Sequence, residues 1–389
     1  MIRYGLVIIE VIAALGTFAG IAYYALCIWS ARNYLNDRTR TQVPERPLPP
    51  VSILKPLKGV DPSIYESFRS HCLQDYGDYE IIFGVSEAND PVVEMVERLK
   101  REFPARRIEL VVCQDRLGTN VKVSNLVQML PHARFDHLIV NDSDIRVPRD
   151  YLARVMAPLE QSSVGMVTCL YRGVPEATVG SRLESLGIST DFACGVLVAR
   201  NLEGVRFGLG STLAFRSTEL QRIGGFRSLL DYLADDYQLG QRISALGLEV
   251  RLSEVVVDTF LPAYDFSGFF EHQLRWARSV RDSRRWGYVG MVLTYGLPWS
   301  LLLVIFASGS GWSLALLGIA TILRVAVMRV MSTRVLCDRF PWKWLPLALL
   351  RDFIAVSVWC ASFASNTIAW RGAHFHLRDG KLSPLDSPN

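Results

Sequence analysis

The stretch His137-Leu138-Ile139-Val140-Asn141-Asp142-Ser143-Asp144 decides the fold class, because an apolar run of strand length stops there at two carboxylates. In an open parallel sheet, ligands bind beyond the carboxyl ends of the strands, where the loops begin. Asp142 and Asp144 can both face one hard divalent cation, since Mg²⁺ or Mn²⁺ prefers oxygen ligands and shares them with substrate phosphates. The alternative interpretation is an Asp-rich turn that only closes a strand.

Strand and helix patterns alternate on both sides of this stretch. The sequence predicts strands at residues 51–54, 79–85, 108–113 and 137–141, and helices at 64–73, 91–103 and 121–130. This order is typical of βαβ units and a parallel sheet covered on both faces. Shorter strands are predicted at 164–170 and 213–215. No GxGxxG follows the first strand and no Walker lysine is present, which disfavours dinucleotide and P-loop sites.

Composition predicts a central domain that is tethered to a membrane. Half of the 389 residues are hydrophobic and the mean hydropathy is +0.20, which is too apolar for an ordinary soluble enzyme. The apolar excess lies at the two ends of the chain. The net charge is only +4, with basic residues near the apolar segments, so we expect a lipid bilayer and no nucleic acid as partner. Seven scattered cysteines predict free, buried thiols in a reducing compartment.

The apolar segments predict an amino-terminal anchor and a second membrane region near the carboxyl end. Residues 5–29 are long enough to span, and they favour an uncleaved anchor over a signal peptide. Further candidate segments are residues 289–307, 312–330 and 345–370. Charged residues within them (Arg324, Arg329, Arg351 and Asp352) should pair, snorkel or line a cavity.

The distribution of arginine and lysine predicts membrane topology. Arg32, Arg38, Arg40 and Arg46 follow the anchor, which favours a cytoplasmic location for the domain behind it. Three full spans after the domain would put the tail outside, whereas basic residues in the tail (Arg371, Arg378 and Lys381) favour the inside. One of the three segments is therefore predicted to be interfacial or re-entrant. The predicted organisation is anchor 1–31, proline-rich linker 32–50, catalytic domain 51–270, basic interfacial helix 271–287, membrane segments 288–371 and tail 372–389.

Two further stretches contain candidate functional residues. Residues 231–237 include the adjacent acids Asp235 and Asp236 and open a predicted helix to about residue 246; acids in a first helical turn also complement the macrodipole. Residues 271–285 place arginines at helical spacing on one face, which fits either a phosphate clamp or contact with anionic lipid. The arginines are Arg275, Arg278, Arg281 and Arg285.

The order of these motifs along the chain resembles that of the inverting glycosyltransferases of family 2 or family 21. These enzymes have the GT-A fold, a Rossmann-like nucleotide-diphospho-sugar transferase domain. The resemblance covers roughly residues 50–285 and rests on Asp90, Asp142-Ser143-Asp144, Asp236 and Gln273-Leu274-Arg275-Trp276, which match the family series D, DxD, D, (Q/R)xxRW. Residues 52–59 and 120–126, with Lys122 and Asn125, resemble the ceramide glucosyltransferase branch. Residues 142–148, 167–175 and 231–237 are most similar to bacterial hopanoid-biosynthesis-associated glycosyltransferases. Ceramide enzymes often have Gly where this chain has Asp144, which favours the hopanoid branch.

The resemblance implies a role for each matching residue. Asp90, Lys122, Asn125 and Arg275 would bind the UDP-sugar, and Asp142 and Asp144 would hold Mg²⁺ or Mn²⁺ with the diphosphate. Asp236, which matches the family position, would be the general base, and the neighbouring Asp235 is the alternative. Gln273 and Trp276 would contact the acceptor. The implied enzyme is an inverting, metal-dependent hexosyltransferase of the bacterial inner membrane that transfers a sugar, N-acetylglucosamine for the hopanoid branch, to a membrane lipid.

Four other classes remain as alternatives. A ceramide glucosyltransferase would use UDP-glucose, and a polysaccharide synthase would need more membrane helices to build a channel. An inactive scaffold would have lost one of the acidic or Arg/Trp elements, and none is lost. A nucleotidyltransferase would lack the Gln273–Trp276 motif and the flanking membrane segments.

Overall fold

The computed structural model describes residues 2–38, 47–338, 342–370 and 373–385. The chain divides into two compact units. The sheet unit comprises Arg38–Ala177, Glu203–Ala263 and Gly380–Asn389, and the helical unit comprises Met1–Asp37, Thr178–Leu202 and Tyr264–Asp379. The domain predicted at 51–270 is therefore interrupted by residues 178–202, which pack with the helical unit. Residues 39–46, in the predicted linker, lie outside the described part of the chain, as does Arg371 of the tail.

The elements in chain order are as follows. The helices are α1 (Ile2–Arg38), α2 (Ile64–Cys72), α3 (Val92–Glu102), α4 (Val121–Met129), α5 (Tyr151–Met156), α6 (Val179–Gly187), α7 (Ala193–Leu202), α8 (Ser217–Arg222), α9 (Asp235–Ala245), α10 (Phe266–Ser283), α11 (Arg285–Gly290), α12 (Gly296–Phe306), α13 (Gly311–Arg329) and α14 (Leu345–Ser362). The strands are β1 (Val51–Pro56), β2 (Tyr79–Val85), β3 (Arg107–Val112), β4 (His137–Val140), β5 (Ile145–Arg146), β6 (Val164–Val174), β7 (Leu213–Arg216), β8 (Glu249–Phe260), β9 (Thr367–Trp370), β10 (Ala373–Arg378) and β11 (Lys381–Pro384).

The sheet unit is built on an eight-stranded sheet with the order β3-β2-β1-β4-β7-β6-β8-β5. The first four of these strands are parallel, and β1 and β2 are buried along their whole length, as expected for a sheet covered on both faces. The prediction of these four strands is confirmed to within two residues. All four carboxyl ends therefore lie at one edge of the sheet.

The other half of the sheet is mixed, which corrects the expectation of a parallel sheet. β7 pairs antiparallel with β4 and β6, β6 runs parallel to β8, and β5 pairs antiparallel with β8. The sequence analysis did not predict β8, because Glu254 and Asp258 interrupt its apolar pattern. Both carboxylates are buried, and Asp258 forms ion pairs with Arg146 and Arg172.

The helix predicted from residue 231 begins four residues later, at Asp235. Residues 231–234 instead form a loop held by backbone hydrogen bonds from the end of the chain. The amide of Leu382 donates to the carbonyl of Asp231 at 2.7 Å, and the amide of Leu233 donates to the carbonyl of Gly380 at 3.0 Å. These bonds compete with helix formation, so the tail fixes the loop that enters α9.

The helical unit contains three helices long and apolar enough to cross a membrane, within the described ranges. They are Tyr4–Arg38, Gly311–Val335 and Trp342–Ser362. The first continues past residue 31 into the segment assigned to the linker. The segment predicted at 345–370 ends as a helix at Ser362, because residues 367–370 form β9, which pairs with β10.

The segment predicted at 289–307 is the interrupted one. Residues Arg285–Thr294 and Gly296–Phe306 form two helical pieces that meet at an angle of 54°. The chain leaves the sheet unit at Ala263 and returns to it at Gly380. A unit on one side of a membrane requires an even number of crossings between these two points, and α13 and α14 supply two. The bent pair is therefore either a broken span or a re-entrant segment, and the second of these agrees with the predicted topology.

Several charged residues of the helical unit have partners within that unit. Arg324 donates to Asp352, and Arg278 and Arg281 donate to the backbone carbonyls of Thr367 and Ser362. Contact of Arg281 with lipid stays a prediction, since its guanidinium already donates to the carbonyl of Ser362. Arg285 begins α11 and does not share one helix with Arg275, Arg278 and Arg281, since α10 ends at Ser283. Five cysteines are buried as expected, whereas Cys337 and Cys360 are exposed; all seven are free thiols.

Candidate active site

Asp142 lies at the carboxyl end of β4, in the middle of the sheet edge. Its amide donates to the carbonyl of Gly210 at 3.1 Å, and its Oδ1 lies 2.8 Å from Nζ of Lys122. The fully buried Lys55 at the end of β1 donates from Nζ to the carbonyl oxygen of Asp142 at 2.9 Å. Two lysines from neighbouring elements thus fix the backbone and the carboxylate of Asp142.

Asp236, in the first turn of α9, faces the same glycine. The amide of Gly210 donates to its Oδ2 at 2.8 Å, and the amide of Tyr237 donates to its Oδ1 at 2.7 Å. A Cβ at Gly210 would lie 2.5 Å from Oδ2 of Asp142 and 3.4 Å from Oδ2 of Asp236. Both carboxylates therefore lie against Gly210, and a side chain at this position would collide with that of Asp142.

Lys122 connects this pair to a third carboxylate. Its Nζ lies 3.2 Å from Oδ2 of Asp235, which is buried, and the Lys122 side chain is only 13% exposed. Asn120 is the N-cap of α4 and accepts a hydrogen bond from the amide of Val123, while its Nδ2 donates to the carbonyl of Tyr232 at 2.8 Å. The α4 amino terminus and the loop before α9 are thereby locked together, with Lys122 between Asp142 and Asp235.

Asp144 is the second carboxylate of the Asp-Ser-Asp turn, and it accepts a hydrogen bond from the hydroxyl of Thr259 on β8. Burial, followed by the charge of Asp142, raises the pKa of Asp144 to about 7. Ser143, between the two aspartates, donates to Oδ2 of Asp61 at 2.5 Å. The turn therefore concentrates negative charge that has too few cationic partners.

Other pKa values in the site are also shifted by burial and by the neighbouring carboxylates. Burial, followed by the charge of Asp235, raises the pKa of Asp236 to about 6. Burial lowers the pKa of Lys55 to about 7, against the attraction of the nearby aspartates. Burial opposes the charged form of Lys122, but Asp142, Asp235 and Asp236 raise its pKa above the ordinary range, so this ammonium stays charged. Groups tuned towards neutral pH in a cluster of this kind are typical of catalytic sites.

The structure places the other predicted donor-binding residues of this unit around the same edge. Asp90 follows β2, and its carboxylate accepts hydrogen bonds from the amides of Gly59 (2.9 Å) and Val92 (3.0 Å). It therefore orders the loop after β1, where Gly59 has a positive φ of 68°. Asn125 is buried on α4 and accepts a hydrogen bond from the hydroxyl of Ser86 at 3.1 Å. Direct contact of Asp90 and Asn125 with a donor stays a prediction.

Gln273, Arg275 and Trp276 lie on α10 of the helical unit and are described with that unit. Gln273 donates from Nε2 to Glu184 at 2.6 Å and accepts a hydrogen bond from Arg351. The Trp276 indole is 41% exposed, and its Nε1 donates to Nε2 of His272 at 3.1 Å. Arg275 is partly buried on the same helix. Their acceptor and diphosphate roles stay predictions.

Sequence reasoning missed several residues that organise the site. Lys55 is a charged residue within an apolar strand, which is a signal of a functional lysine, but the sequence analysis includes it only within the motif at residues 52–59. Asn120 and Asp235 were assigned to a motif and to the helix dipole, whereas they hold Lys122 and the loop before α9. Gly210 could not be assigned from sequence, because its value depends on two carboxylates that are distant along the chain.

The donor set fits a divalent cation that is shared with a substrate. Among the described residues, no three His, Cys, Asp or Glu side chains form a cluster that could hold a metal on their own. Mg²⁺ and Mn²⁺ sites of nucleotide-using enzymes commonly need only one or two carboxylates, with phosphate oxygens and water as the other ligands. Asp142 and Asp144 would supply this donor set, and the raised pKa of Asp144 marks a charge that a cation would compensate.

Comparison with known proteins agrees with this geometry. The model of the family "Glycosyl transferase family 21" matches residues 12–383. "Ceramide glucosyltransferase 3" of Caenorhabditis elegans is 24% identical over 371 residues, which cover 90% of this chain and 78% of the relative. "Ceramide glucosyltransferase 1" of the same organism is 22% identical over 352 residues, with coverages of 87% and 73%.

Among solved structures, a mannosyltransferase from Pyrobaculum calidifontis in complex with GDP-Man and Mn²⁺ is similar in fold. The TM-score is 0.50 at 18% sequence identity, and the match covers 90% of this chain and 98% of the mannosyltransferase. This likeness confirms the predicted GT-A type of fold for the mixed sheet of the sheet unit.

Proposed function

Because this chain belongs to glycosyl transferase family 21, we propose that it is an inverting enzyme that transfers a sugar from a UDP-sugar to a hydroxyl group of a membrane lipid. The observation that carries the proposal is the convergence of Asp142 and Asp236 on Gly210, with Lys122 between Asp142 and Asp235. This arrangement supports the assignment of Asp236 as the base and of Asp142 and Lys122 to the diphosphate.

The base in this proposal is Asp236. A general base works best when its pKa is near the operating pH, and the pKa of Asp236 is raised to about 6. Its two carboxylate oxygens accept one backbone hydrogen bond each, so each retains a lone pair for an acceptor hydroxyl. Asp235 is less suited, because it is buried and paired with Lys122.

Charge develops on the leaving UDP as its bond to the anomeric carbon breaks. Lys122 stays protonated, so it can stabilise that charge. Asp142 and Asp144 would hold a divalent cation, which would supply Lewis-acid stabilisation of the diphosphate when bound. The acceptor oxygen forms the new bond to the anomeric carbon on the face opposite UDP, and its proton passes to Asp236. One displacement of this kind inverts the configuration.

For the acceptor we propose a polyhydroxylated hopanoid of the bacteriohopanetetrol type, with UDP-N-acetylglucosamine as donor. The support is the resemblance at residues 142–148, 167–175 and 231–237. The second candidate is glucose transfer from UDP-glucose to ceramide, which the names of the curated relatives favour. Both acceptors are lipids with a neutral hydroxyl group.

We place the reaction on the cytoplasmic face of the bacterial inner membrane. Arg32 and Arg38 lie at the sheet-unit end of α1, and basic residues mark the cytoplasmic end of a membrane helix. UDP-sugars are also made in the cytoplasm, so a catalytic unit on that side meets its donor directly.

The test is mass spectrometry of lipids formed by the full-length enzyme in membranes. Bacteriohopanetetrol and ceramide are each offered with UDP-N-acetylglucosamine and with UDP-glucose, and Asp236→Asn is the matched control. A product heavier by N-acetylglucosamine on the hopanoid, absent with Asp236→Asn, supports the proposal. A glucosylated ceramide alone would favour the second candidate, and a soluble or polymeric product alone would contradict both.

A further inference from the structure

The helical unit contains a buried cluster of charged side chains on two of its spanning helices. Arg324 on α13 is 4% exposed, and it donates to Asp352 on α14, to the carbonyl of Thr190 and to Asp191. Every nitrogen of its guanidinium therefore has an acceptor. This arginine has the satisfied geometry expected of a structural ion pair in an apolar environment.

Arg351 on α14 is buried equally deeply but is not satisfied. It is 5% exposed, and Nη2 donates to Gln273, whereas Nε and Nη1 have no hydrogen-bond partner among the described residues. Nη1 faces Oδ2 of Asp191 at 3.7 Å, which is too long for a hydrogen bond, and that oxygen also lacks a partner within the described ranges. Buried polar atoms left in this state are costly unless a ligand or water satisfies them.

Asp191 belongs to a short π-helix, residues Ile188–Phe192, between α6 and α7. Such π turns are rare and are frequent at functional sites. The buried hydroxyl of Ser189 on the same turn has no hydrogen-bond partner in the described part of the chain. A Cβ at Gly187 would lie 2.8 Å from Nη2 of Arg351, so the glycine before the turn permits its close approach to Arg351.

The charges of the cluster indicate the kind of ligand. Two arginines, Arg324 and Arg351, face two aspartates, Asp191 and Asp352, and Glu184 lies beside them through Gln273. The cluster thus has no excess positive charge to offer a phosphate. A hydroxyl group can accept from Nη1 of Arg351 and donate to Oδ2 of Asp191 at once. The unpaired atoms therefore match a neutral, hydroxylated ligand.

We propose that Arg351 and Asp191, with Ser189 on the same π turn, bind the neutral hydroxyl-bearing headgroup of a membrane lipid, which is the acceptor of the proposed reaction. This inference rests on the proposed function, and it excludes lipid phosphates as acceptors. Arg351 donates to Gln273 on α10, the helix predicted to lie at the membrane surface, which is the depth of a lipid headgroup.

The test measures lipid binding, not transfer, with the full-length protein in lipid nanodiscs. The probes are fluorescent ceramide and bacteriohopanetetrol, with phosphatidic acid as the anionic probe. Arg351→Lys keeps the charge but loses the guanidinium fork. We expect it to weaken binding of a neutral probe about 10- to 100-fold, the loss typical of hydrogen bonds to a charged group, without changing UDP affinity or the unfolding temperature.

Arg324→Lys is the matched control, because that arginine is equally buried and fully paired. It should lower the unfolding temperature and weaken UDP and lipid binding together. The proposal is overturned if Arg351→Lys behaves like Arg324→Lys, if it leaves lipid affinity unchanged, or if phosphatidic acid binds at least as tightly as the neutral probes. Failure to transfer sugar to any lipid would contradict the proposed function, whereas this binding measurement would stand by itself.

Discussion

The pH dependence of sugar transfer should report the environment of Asp236. This carboxylate has to be ionised to accept a proton, and its pKa is raised to about 6. With that pKa about a tenth of the enzyme is ionised at pH 5 and about nine tenths at pH 7. We therefore expect kcat/KM for the lipid acceptor to rise about tenfold over this interval. An Asp with an ordinary pKa near 3.9 would give almost no change.

The Asp235→Asn variant tests the cause of the shift. After burial, the charge of Asp235 is the largest cause that raises the pKa of Asp236, so its removal should move the acid limb to lower pH. Lys122 would keep its ion pair with Asp142 and remain near the site. Activity at pH 7.5 should fall only moderately, since Asp235 positions Lys122 and does not take the proton.

The assay is release of UDP by the purified full-length enzyme over pH 5–9, with saturating donor and varied acceptor. Asp236→Asn should lower turnover by about 10²–10⁴-fold at every pH, while UDP affinity changes little. The reasoning is refuted if Asp235→Asn is the inactive variant, or if the acid limb of the native enzyme lies near pH 4. It is also refuted if Asp235→Asn moves the limb to higher pH.

Two further predictions concern the cation and the topology. Burial and the charge of Asp142 raise the pKa of Asp144, so the folded protein loses stability as the pH rises towards and through about 7 and Asp144 ionises. Asp144→Asn removes this charge and should therefore raise the unfolding temperature in chelator at pH 8, as measured by differential scanning fluorimetry. Mn²⁺ should raise that temperature for the native enzyme but much less for the variant, and equal responses would contradict the assignment of Asp144 as a ligand. A reporter fused to the carboxyl terminus should lie on the same side of the membrane as a reporter inserted in the sheet unit, since the carboxyl-terminal residues belong to that unit. Reporters on opposite sides would show that the bent pair Arg285–Thr294 and Gly296–Phe306 crosses the membrane.

The sequence was sufficient for the parallel half of the sheet, because its inner strands β1, β2 and β4 are largely buried and appear as mainly apolar runs. β2 at Tyr79–Val85 has the predicted bounds. It was insufficient for β8, whose Glu254 and Asp258 look like surface residues although both are buried and ion-paired. Apolar periodicity cannot detect a strand when its buried charges are neutralised by residues far along the chain.

In the site, too, the sequence predicts residues that belong to local motifs but not contacts between distant parts of the chain. Asp142, Asp144 and Asp236 could be proposed from their motifs, and the sheet unit does bring Asp142 and Asp236 to one glycine. The partners of Lys122 could not be predicted from the sequence, since its contact with Asp235 joins residues that are 113 positions apart. The start of α9 was likewise set by hydrogen bonds from residues 380 and 382, which no local propensity reports.

The charge balance differs between the site of the sheet unit and the buried arginine cluster of the helical unit. In the sheet unit, Asp142, Asp144, Asp235 and Asp236 outnumber the ammonium groups of Lys122 and Lys55, and the second of these has a pKa lowered to about 7. Such a site repels a diphosphate until a cation compensates the excess. In the helical unit, the arginines of the buried cluster, Arg324 and Arg351, are balanced by aspartates, so this cluster offers a phosphate no net attraction. The aspartate-rich site of the sheet unit is therefore predicted to take the diphosphate of a nucleotide-sugar once a cation is bound, and the buried arginine cluster is predicted to take a neutral lipid hydroxyl.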